Sequence, residues 1–142
     1  MNIPELLTNL TTHYNAVFRQ YSSQLSLTAP QAFHLLSIPV DGISMSGLAK
    51  KLGLDSSTLT RNIQKLEKLD KLDLVRRKQD RNDKRILVVY LADKGRDKVE
   101  KIEDSLLDLN FSMMKYIDLD DQENIPEMLE KLVWAMDCIR EE

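Results

Sequence analysis

The chain has 142 residues, 42% of them hydrophobic, which is enough for one domain with its own core and too few for two independent domains. Its one cysteine, Cys138, excludes an intramolecular disulfide and a multi-cysteine zinc site, and its four glycines and four prolines exclude a collagen-like or Pro/Gly-rich disordered chain. The formal net charge of −3 by itself argues against a protein that coats nucleic acid or an anionic membrane.

The charge is distributed unevenly along the chain. Residues 1–49 carry a net charge of −1, residues 50–85 carry +6, and residues 86–142 carry −8. A basic quarter within an acidic chain suggests a surface that binds a polyanion, and the plainer alternative is an unevenly charged solvated surface. The sequence has no signal-peptide pattern and no run of about 20 apolar residues, so we expect a soluble, cytoplasmic protein.

Three segments near the two ends of the chain have apolar residues at alternating steps of three and four, which predicts helices with an apolar seam. The seams are Leu7, Leu10, Tyr14, Val17 and Tyr21, then Val99, Ile102, Leu106, Leu109, Met113 and Tyr116, and finally Ile125, Leu129, Leu132, Met136 and Ile139. This spacing suits helices that pack side by side. We therefore expect a homodimer built from the terminal helices, with an intramolecular bundle as the alternative.

Capping signals divide the middle of the chain into short helices. Thr28–Gln31 has the pattern of a capping box and opens a helix that the turn at 39–42 stops. Ser44 can cap the next helix, which we expect to end at Gly53 in a left-handed conformation, and Asp55 can cap a further one. Helix, short break and helix in this order predict a helix-turn-helix.

Beyond these helices the apolar pattern changes to that of strands. We predict two short strands, at 74–78 and 86–91, joined by seven polar residues that suit the tip of a hairpin. A helix-turn-helix followed directly by a charged hairpin is typical of a winged helix.

The helix that follows Asp55 has one apolar and one polar side. Leu59, Ile63 and Leu66 form the predicted buried stripe, and no acidic or large apolar residue lies opposite them. Arg61 could reach guanine edges and Gln64 adenine edges, while the lysines suit phosphates. The candidate major-groove residues are Ser56, Ser57, Thr60, Arg61, Gln64, Lys65 and Lys68. The alternative is an ordinary solvated face.

The hairpin between the predicted strands is basic, with six Lys or Arg and two Asp in residues 76–85. Arg81 lies at its tip, where a guanidinium suits a narrow minor groove, and Asp83 is close enough to Arg85 to pair with it and brace the loop. The candidate wing residues are Arg76, Arg77, Lys78, Arg81, Asp83, Lys84 and Arg85. The alternative is a hairpin whose charges only keep an edge strand in solution.

These segments together resemble the MarR family of winged-helix transcriptional regulators. The similarity is carried by residues 46–61 in the helix-turn-helix and by 80–85 and 91–95 in the wing and the following helix. It implies a mainly α fold with a small β-hairpin wing, in which residues 1–142 form a single winged-helix domain. Residues 28–91 would be the DNA-binding part, and 1–25 and 93–142 would be dimerisation helices.

The resemblance also implies a function and partners. A homodimer would bind a pseudo-palindromic DNA operator, with the helix after Asp55 in the major groove and Arg81 and Arg85 in the minor groove. Family members are often repressors that respond to a small aromatic ligand held between the dimer helices and the winged helix. Here the candidate pocket residues are Tyr14, Phe18, His34 and Met45, with a purely structural role in the core as the alternative.

Two positions depart from the family's pattern. Ala92 stands where a capping Thr is usual, so we expect Asp93 to take over the cap. The segment from Leu66 to Val75 is three residues longer than usual, which corresponds to almost one helical turn. A regular helix would turn Leu72 away from the buried side, so we expect the helix to end between Lys68 and Lys71 and an irregular connection to follow.

The sequence shows no catalytic constellation, and we expect no enzyme activity, cofactor or metal. Its two histidines, His13 and His34, have no ligand partners nearby in sequence. Residues 120–123 suggest a capping box, and Pro126 suggests that the regular last helix begins near Asn124. The competing functional hypothesis is a winged-helix protein-interaction module without DNA binding, whose basic face docks on an acidic partner.

Overall fold

The computed structural model describes residues 1–69 and 73–142, and these ranges form two compact units, Met1–Asp104 and Ser105–Glu142. The helices are α1 (Ile3–Gln24), α2 (Ala29–Leu36), α3 (Met45–Leu52), α4 (Ser56–Lys68), α5 (Asp93–Met114) and α6 (Leu119–Glu141), and the strands are β1 (Ile43–Ser44), β2 (Val75–Gln79) and β3 (Leu87–Leu91). The expected mainly helical fold with a small wing is confirmed. No helix within the two described ranges has the length and apolar character needed to cross a membrane.

The predicted caps of α2 and α3 are present. The Thr28 hydroxyl accepts from the backbone N–H of Gln31 at 3.2 Å, and the Gln31 side chain accepts from the N–H of Thr28 at 2.9 Å. The Ser44 hydroxyl accepts from the N–H of Gly47 at 3.0 Å. Each bond satisfies a helix N-terminal donor that has no partner within the helix, so these caps fix where α2 and α3 begin.

The turn between α3 and α4 also has the predicted geometry. Gly53 ends α3 with a φ of +68°, and the Asp55 carboxylate caps α4 by accepting from the N–H of Thr58 at 2.7 Å. Together with a bond from the Ser57 hydroxyl, this contact lowers the pKa of Asp55 to about 2. The carboxylate is therefore ionised at neutral pH and stabilises the positive end of the α4 dipole.

The apolar stripe of α4 lies in the core of the first unit, as predicted. Leu59, Ile63 and Leu66 are at most 1% exposed, and burial of each such side chain contributes about 1.5–3 kcal/mol. The other large, fully buried apolar side chains here are Phe18, Leu35, Leu48, Leu74, Val75, Val89 and Ile102. This burial turns the opposite, polar side of α4 to the solvent.

The three strands form an antiparallel sheet in the order β1-β3-β2. β2 and β3 begin one residue later than predicted, and next to the start of β2 the carbonyl of Leu74 accepts from the N–H of Ala92. β1 was not predicted from the sequence, since two residues are too few to show an alternating pattern. Ile43 and Ser44 pair with Val89 and Val88 of β3.

An ion pair joins the wing to α4. The Arg77 guanidinium of β2 donates to the Glu67 carboxylate of α4 at 2.9 Å, and the two side chains are only 23% and 26% exposed. Because side chains alternate along a strand, Arg76 and Lys78 project from the other face of the sheet, away from α4. The hairpin therefore has an inner face tied to α4 and an outer face.

The two expectations for the starts of α5 and α6 are wrong. Ala92 holds the cap position of α5, with its carbonyl accepting from the N–H of Arg96, while Asp93 is the first helical residue and its carboxylate bonds the Arg96 guanidinium. α6 begins at Leu119, well before Asn124, and contains Pro126.

The early start of α6 has a structural cause in the second unit. The Gln122 side-chain amide donates to the carbonyls of Met114 and Ile117 at 3.1 and 2.7 Å. These bonds satisfy carbonyls that the end of α5 leaves without a helical partner, and they hold the first turn of α6 in place. Pro126 is then accommodated within a helix that has already started.

α4 ends at Lys68, inside the predicted window, and Leu69 has an extended conformation. The expectation of an irregular connection, including the position of Leu72, concerns residues 70–72 and lies outside the described residues.

The terminal helices bury little of their apolar surface within one chain. Phe18 and Ser22 are the buried residues of α1, and no residue of α6 is buried. In α6 the exposed apolar side chains include Met128 (58%), Val133 (55%) and Trp134 (70%). Of the predicted seam residues, Leu129 (42%), Met136 (44%) and Ile139 (65%) of α6 are exposed, whereas Ile102 of α5 is buried.

We predict that Asp55→Asn lowers the melting temperature at neutral pH, because the neutral amide loses the interaction with the helix dipole. Since the folded-state pKa is depressed, the charged cap contributes fully above the ordinary value of 3.8, and its contribution disappears as the pH falls through about 2. Thermal melts across this range should show the two proteins converging. Asp41→Asn, at an exposed turn residue, serves as the control, and a difference that persists at the lowest pH would contradict the prediction.

We predict a coupling free energy of about 0.5–1 kcal/mol between Glu67 and Arg77, measured by urea unfolding of Glu67→Ala, Arg77→Ala and the double variant. The pair is mostly buried, so solvent screens it weakly. The matched control cycle is Asp73 and Arg76, which lie 4.0 Å apart with side chains about two-thirds exposed, and whose coupling we expect near zero. Equal coupling in the two cycles would refute the special role of the Glu67–Arg77 pair.

Candidate nucleic-acid interface

The exposed side of α4 carries the predicted polar residues. Arg61, Gln64, Lys65 and Lys68 are all exposed, and Thr60 is partly exposed. The first turn of α4 contains no acidic residue, and the two acids nearest to this face, Asp55 and Glu67, are engaged by the backbone N–H of Thr58 and by Arg77. The face is therefore cationic, polar and narrow enough at its N-terminal end to approach another surface closely.

Two of the hydroxyl groups at the start of α4, those of Ser57 and Thr60, already have hydrogen-bond partners. The Ser57 hydroxyl donates to the Asp55 carboxylate at 2.8 Å, and the Thr60 hydroxyl donates to the carbonyl of Ser56 at 2.8 Å. Both oxygens remain able to accept. In this conformation the donors that α4 presents outward are thus the long side chains of Arg61, Gln64 and the lysines.

The structure adds Gln31 to this face. A shallow depression of about 490 Å³ is lined by Gln31 of α2 together with Arg61, Gln64, Lys65, Lys68 and Leu69. The side-chain oxygen of Gln31 completes the α2 capping box, which leaves its amide NH₂ as a donor. This position of Gln31 was not predicted from the sequence, because Gln31 is 30 positions from Arg61 and its capping pattern already explained it.

The tip of the wing is held by its own side chains. The Asp80 carboxylate accepts from the N–H groups of Asn82 and Asp83, each at 3.1 Å. Arg85 donates two parallel bonds of 3.0 Å to Asp83, the predicted brace, which lowers the pKa of Asp83 and raises that of Arg85. Asp83 therefore stays ionised, and Arg81 is displayed on an ordered turn.

The cations of the wing are not equivalent. Arg77 is tied to Glu67 and Arg85 to Asp83, Arg76 lies 4.0 Å from Asp73, and the Lys78 ammonium lies 5.8 Å from the centre of the Tyr90 ring. Arg81 and Lys84 are exposed and have no ion pair to a carboxylate in residues 1–69 or 73–142. They are the two wing-tip charges that internal partners do not neutralise.

His34, assigned to a ligand pocket, connects two helices of the winged helix. It is 5% exposed, its Nδ1 donates to the carbonyl of Pro30 at 2.6 Å, and its Nε2 accepts from the Asn62 amide at 3.1 Å. Asn62 belongs to α4, so this bond fixes the rotation of α4 against α2. The sequence offered little indication of the His34–Asn62 bond, because a polar residue such as Asn62, next to a buried apolar stripe, normally faces solvent.

The other candidate pocket residues do not gather around His34. Phe18 is fully buried and stacked between Tyr14 and Phe33, with ring centres 5.6 and 4.2 Å away, and Met45 is at the start of α3. Two cavities are lined by His34, of about 240 and 500 Å³, and Tyr14, Phe18 and Met45 line neither of them. The described part of the chain contains no group of three or more His, Cys, Asp or Glu that could hold a metal ion.

The sequence comparisons identify relatives of the central segment. Residues 27–87 match the model of the MarR family. The HTH-type transcriptional regulator TtmR of Methylorubrum extorquens (strain PA1) is 36% identical over 84 residues, which cover 58% of this chain and 42% of that protein. The chain spans less than half the length of the curated relatives that it matches.

The structural comparisons extend the likeness to nearly the whole chain. The wild-type MarR of E. coli in its apo form has a TM-score of 0.78 and 27% identity, with 93% of this chain and 96% of that one covered. The S. aureus MepR–DNA complex has a TM-score of 0.74 and shares the fold at 19% identity, with 95% and 98% covered. By the sequence match over residues 27–87, which span the helix-turn-helix and most of the wing, and by the fold that it shares with MarR, the chain is similar to the MarR family of winged helix-turn-helix transcriptional regulators.

Proposed function

We propose that this protein is a DNA-binding, ligand-responsive transcriptional repressor that works in the cytoplasm and binds a pseudo-palindromic operator as a homodimer. The observation that carries the proposal is the pairing of two exposed cationic elements in one compact unit. These elements are the polar side of α4 and the tip of the wing, which Glu67 and Arg77 hold together.

The roles of the α4 residues follow from their chemistry. Arg61 and Gln64 have the forked donors and the amide that recognise guanine and adenine edges in a major groove, and Lys65 and Lys68 have point charges suited to phosphates. Ser56, Ser57 and Thr60 are small enough to let the start of the helix approach the bases.

The wing supplies the second contact. Arg81 would enter the minor groove, with Lys84 beside it, while Asp83 holds Arg85 in a position that shapes the loop. We assign Arg77 to positioning, because its guanidinium is occupied by Glu67. Arg76 and Lys78 lie on the outer face of the sheet, and we do not assign them a contact with the minor groove.

The ligand response rests on the cavities near His34. The cavity of about 500 Å³ has an apolar lining that includes Phe33 and Leu52 and two cationic side chains, Arg19 and Lys51. A planar aromatic anion matches such a lining. His34 connects this cavity to α4 through Asn62, so a ligand there could change how α4 is held.

We predict that Arg61→Ala weakens binding to duplexes selected from genomic DNA by about 5–150-fold and relaxes the preference at one base pair. Arg81→Ala should weaken binding and reduce the salt dependence by about one phosphate contact. Fluorescence anisotropy at several salt concentrations measures both effects, with Lys115→Ala as a control of equal charge change. If selection recovers no duplex, or if both variants bind as the wild type does, the protein-interaction module becomes the better hypothesis.

We predict that the protein sediments as a dimer and that Leu129→Glu with Met136→Glu shifts it to the mass of one chain. Leu129 and Met136 belong to the α6 seam and are 42% and 44% exposed in a single chain. If a second copy covers this seam, the substitutions remove apolar contacts and bury two carboxylates in the interface. Lys115→Glu is the charge control and should leave the dimer intact. A wild-type protein that sediments as one chain at high concentration would disprove the homodimer.

A further inference from the structure

A basic cleft lies on the outer face of the wing sheet, in the first compact unit. It has a volume of about 530 Å³ and lies between β2, β3, the first turn of α5 and the turn that precedes β1. Its lining includes four cationic side chains, two carboxylates and one aromatic ring: Arg76, Lys78, Lys94, Arg96, Asp73, Asp93 and Tyr90.

The contacts proposed for the operator do not explain this cleft. Arg77 points to the inner face of the sheet, where it meets Glu67 of α4, and its neighbours Arg76 and Lys78 therefore point to the opposite face. Tyr90 pairs with Arg76 across the ladder and lies on the same outer face. Arg76, Lys78 and Tyr90 thus face away from α4, and none of the contacts proposed for the operator uses them.

The charges of the cleft do not cancel. Arg76 lies 4.0 Å from Asp73, and Arg96 bonds the carboxylate of Asp93, so two of the four cations have acidic neighbours. Lys78 lies over the Tyr90 ring, and Lys94 has no ion pair to a carboxylate within the described residues. Two positive charges remain in the cleft.

The Tyr90 ring is fixed in the wall of the cleft. Gly42 has a φ of +84°, and a Cβ at this position would approach Cε1 of Tyr90 to 2.5 Å, so only glycine lets the turn lie against this ring. The glycine backbone holds one part of the ring, and the rest of the side chain is partly exposed toward the cleft. An ordered aromatic wall loses little conformational entropy when a planar group packs on it.

We propose that this cleft binds a small phosphate ester that carries a planar ring. A phosphate monoester is close to a dianion at neutral pH, which balances the two remaining positive charges, and lysine ammonium groups are common phosphate ligands. The ring of the ligand packs against Tyr90 while the phosphate lies between Lys78 and Lys94. The volume is in the range of small-molecule sites.

Phenyl phosphate is the probe for the test, titrated by calorimetry into the protein without DNA, so that the result does not depend on the proposed function. We expect the Lys78→Gln, Lys94→Gln double variant to bind it at least about tenfold more weakly than the wild type, because both charge-assisted contacts are lost. We expect Tyr90→Leu to weaken phenyl phosphate more than inorganic phosphate. Thermal melts establish that both variants are folded.

Two single variants control for charge alone and for the location of the site. Lys115→Gln removes a lysine outside the cleft and Arg61→Gln removes a cation from α4, and each should change the affinity by less than about twofold. The proposal is overturned if the double variant binds as the wild type does, or if Lys115→Gln has the same effect. It is equally overturned if inorganic phosphate binds as tightly as phenyl phosphate, since the ring would then contribute nothing.

Discussion

Burial of the apolar stripe of α4 is the constraint on which the rest of the structure depends. Leu59, Ile63 and Leu66 can leave water only if α4 turns one side to the core, and this fixes the direction of every other side chain on the helix. The His34–Asn62 bond and the Glu67–Arg77 pair then act as two lateral ties, one to α2 and one to the wing. Packing of the core therefore orients the exposed polar side of α4 in the absence of a partner.

Carboxylates decide which cations of the basic segment remain available. Glu67 and Asp83 each occupy an arginine, and in both cases the arginine becomes part of the scaffold rather than part of the contact surface. The number of Lys and Arg in residues 50–85 therefore overstates the charge that a polyanion meets. The cations that remain available to a polyanion include Arg81 and Lys84 at the tip and Arg61 on α4.

Local sequence signals predicted most of the fold that carries the site. The caps at Thr28, Ser44 and Asp55 and the apolar stripe of α4 were readable because each depends on residues within four positions of one another. The start of α6 could not be predicted in this way. The Gln122 side chain bonds to the carbonyls of Met114 and Ile117 and holds the first turn of α6, although Pro126 is unfavourable within a helix.

The features of the candidate site that could not be predicted from the sequence were mainly contacts between distant segments. The place of Gln31 beside α4, the His34–Asn62 bond and the partner of Arg77 all bring together residues at least ten positions apart in the chain. Composition and periodicity assign such residues to a face but not to a partner. The basic outer cleft could not be predicted for the same reason, since its lining comes from three separate segments of the chain.

The bracing of the wing tip has a thermodynamic consequence. Asp80 fixes two backbone N–H groups and Asp83 holds Arg85, so the loop that displays Arg81 loses its conformational freedom when the chain folds. Insertion of this loop into a groove then requires little further ordering. Its heat-capacity change should reflect the surface that is buried on contact, without the large additional decrease that accompanies the folding of a disordered arm.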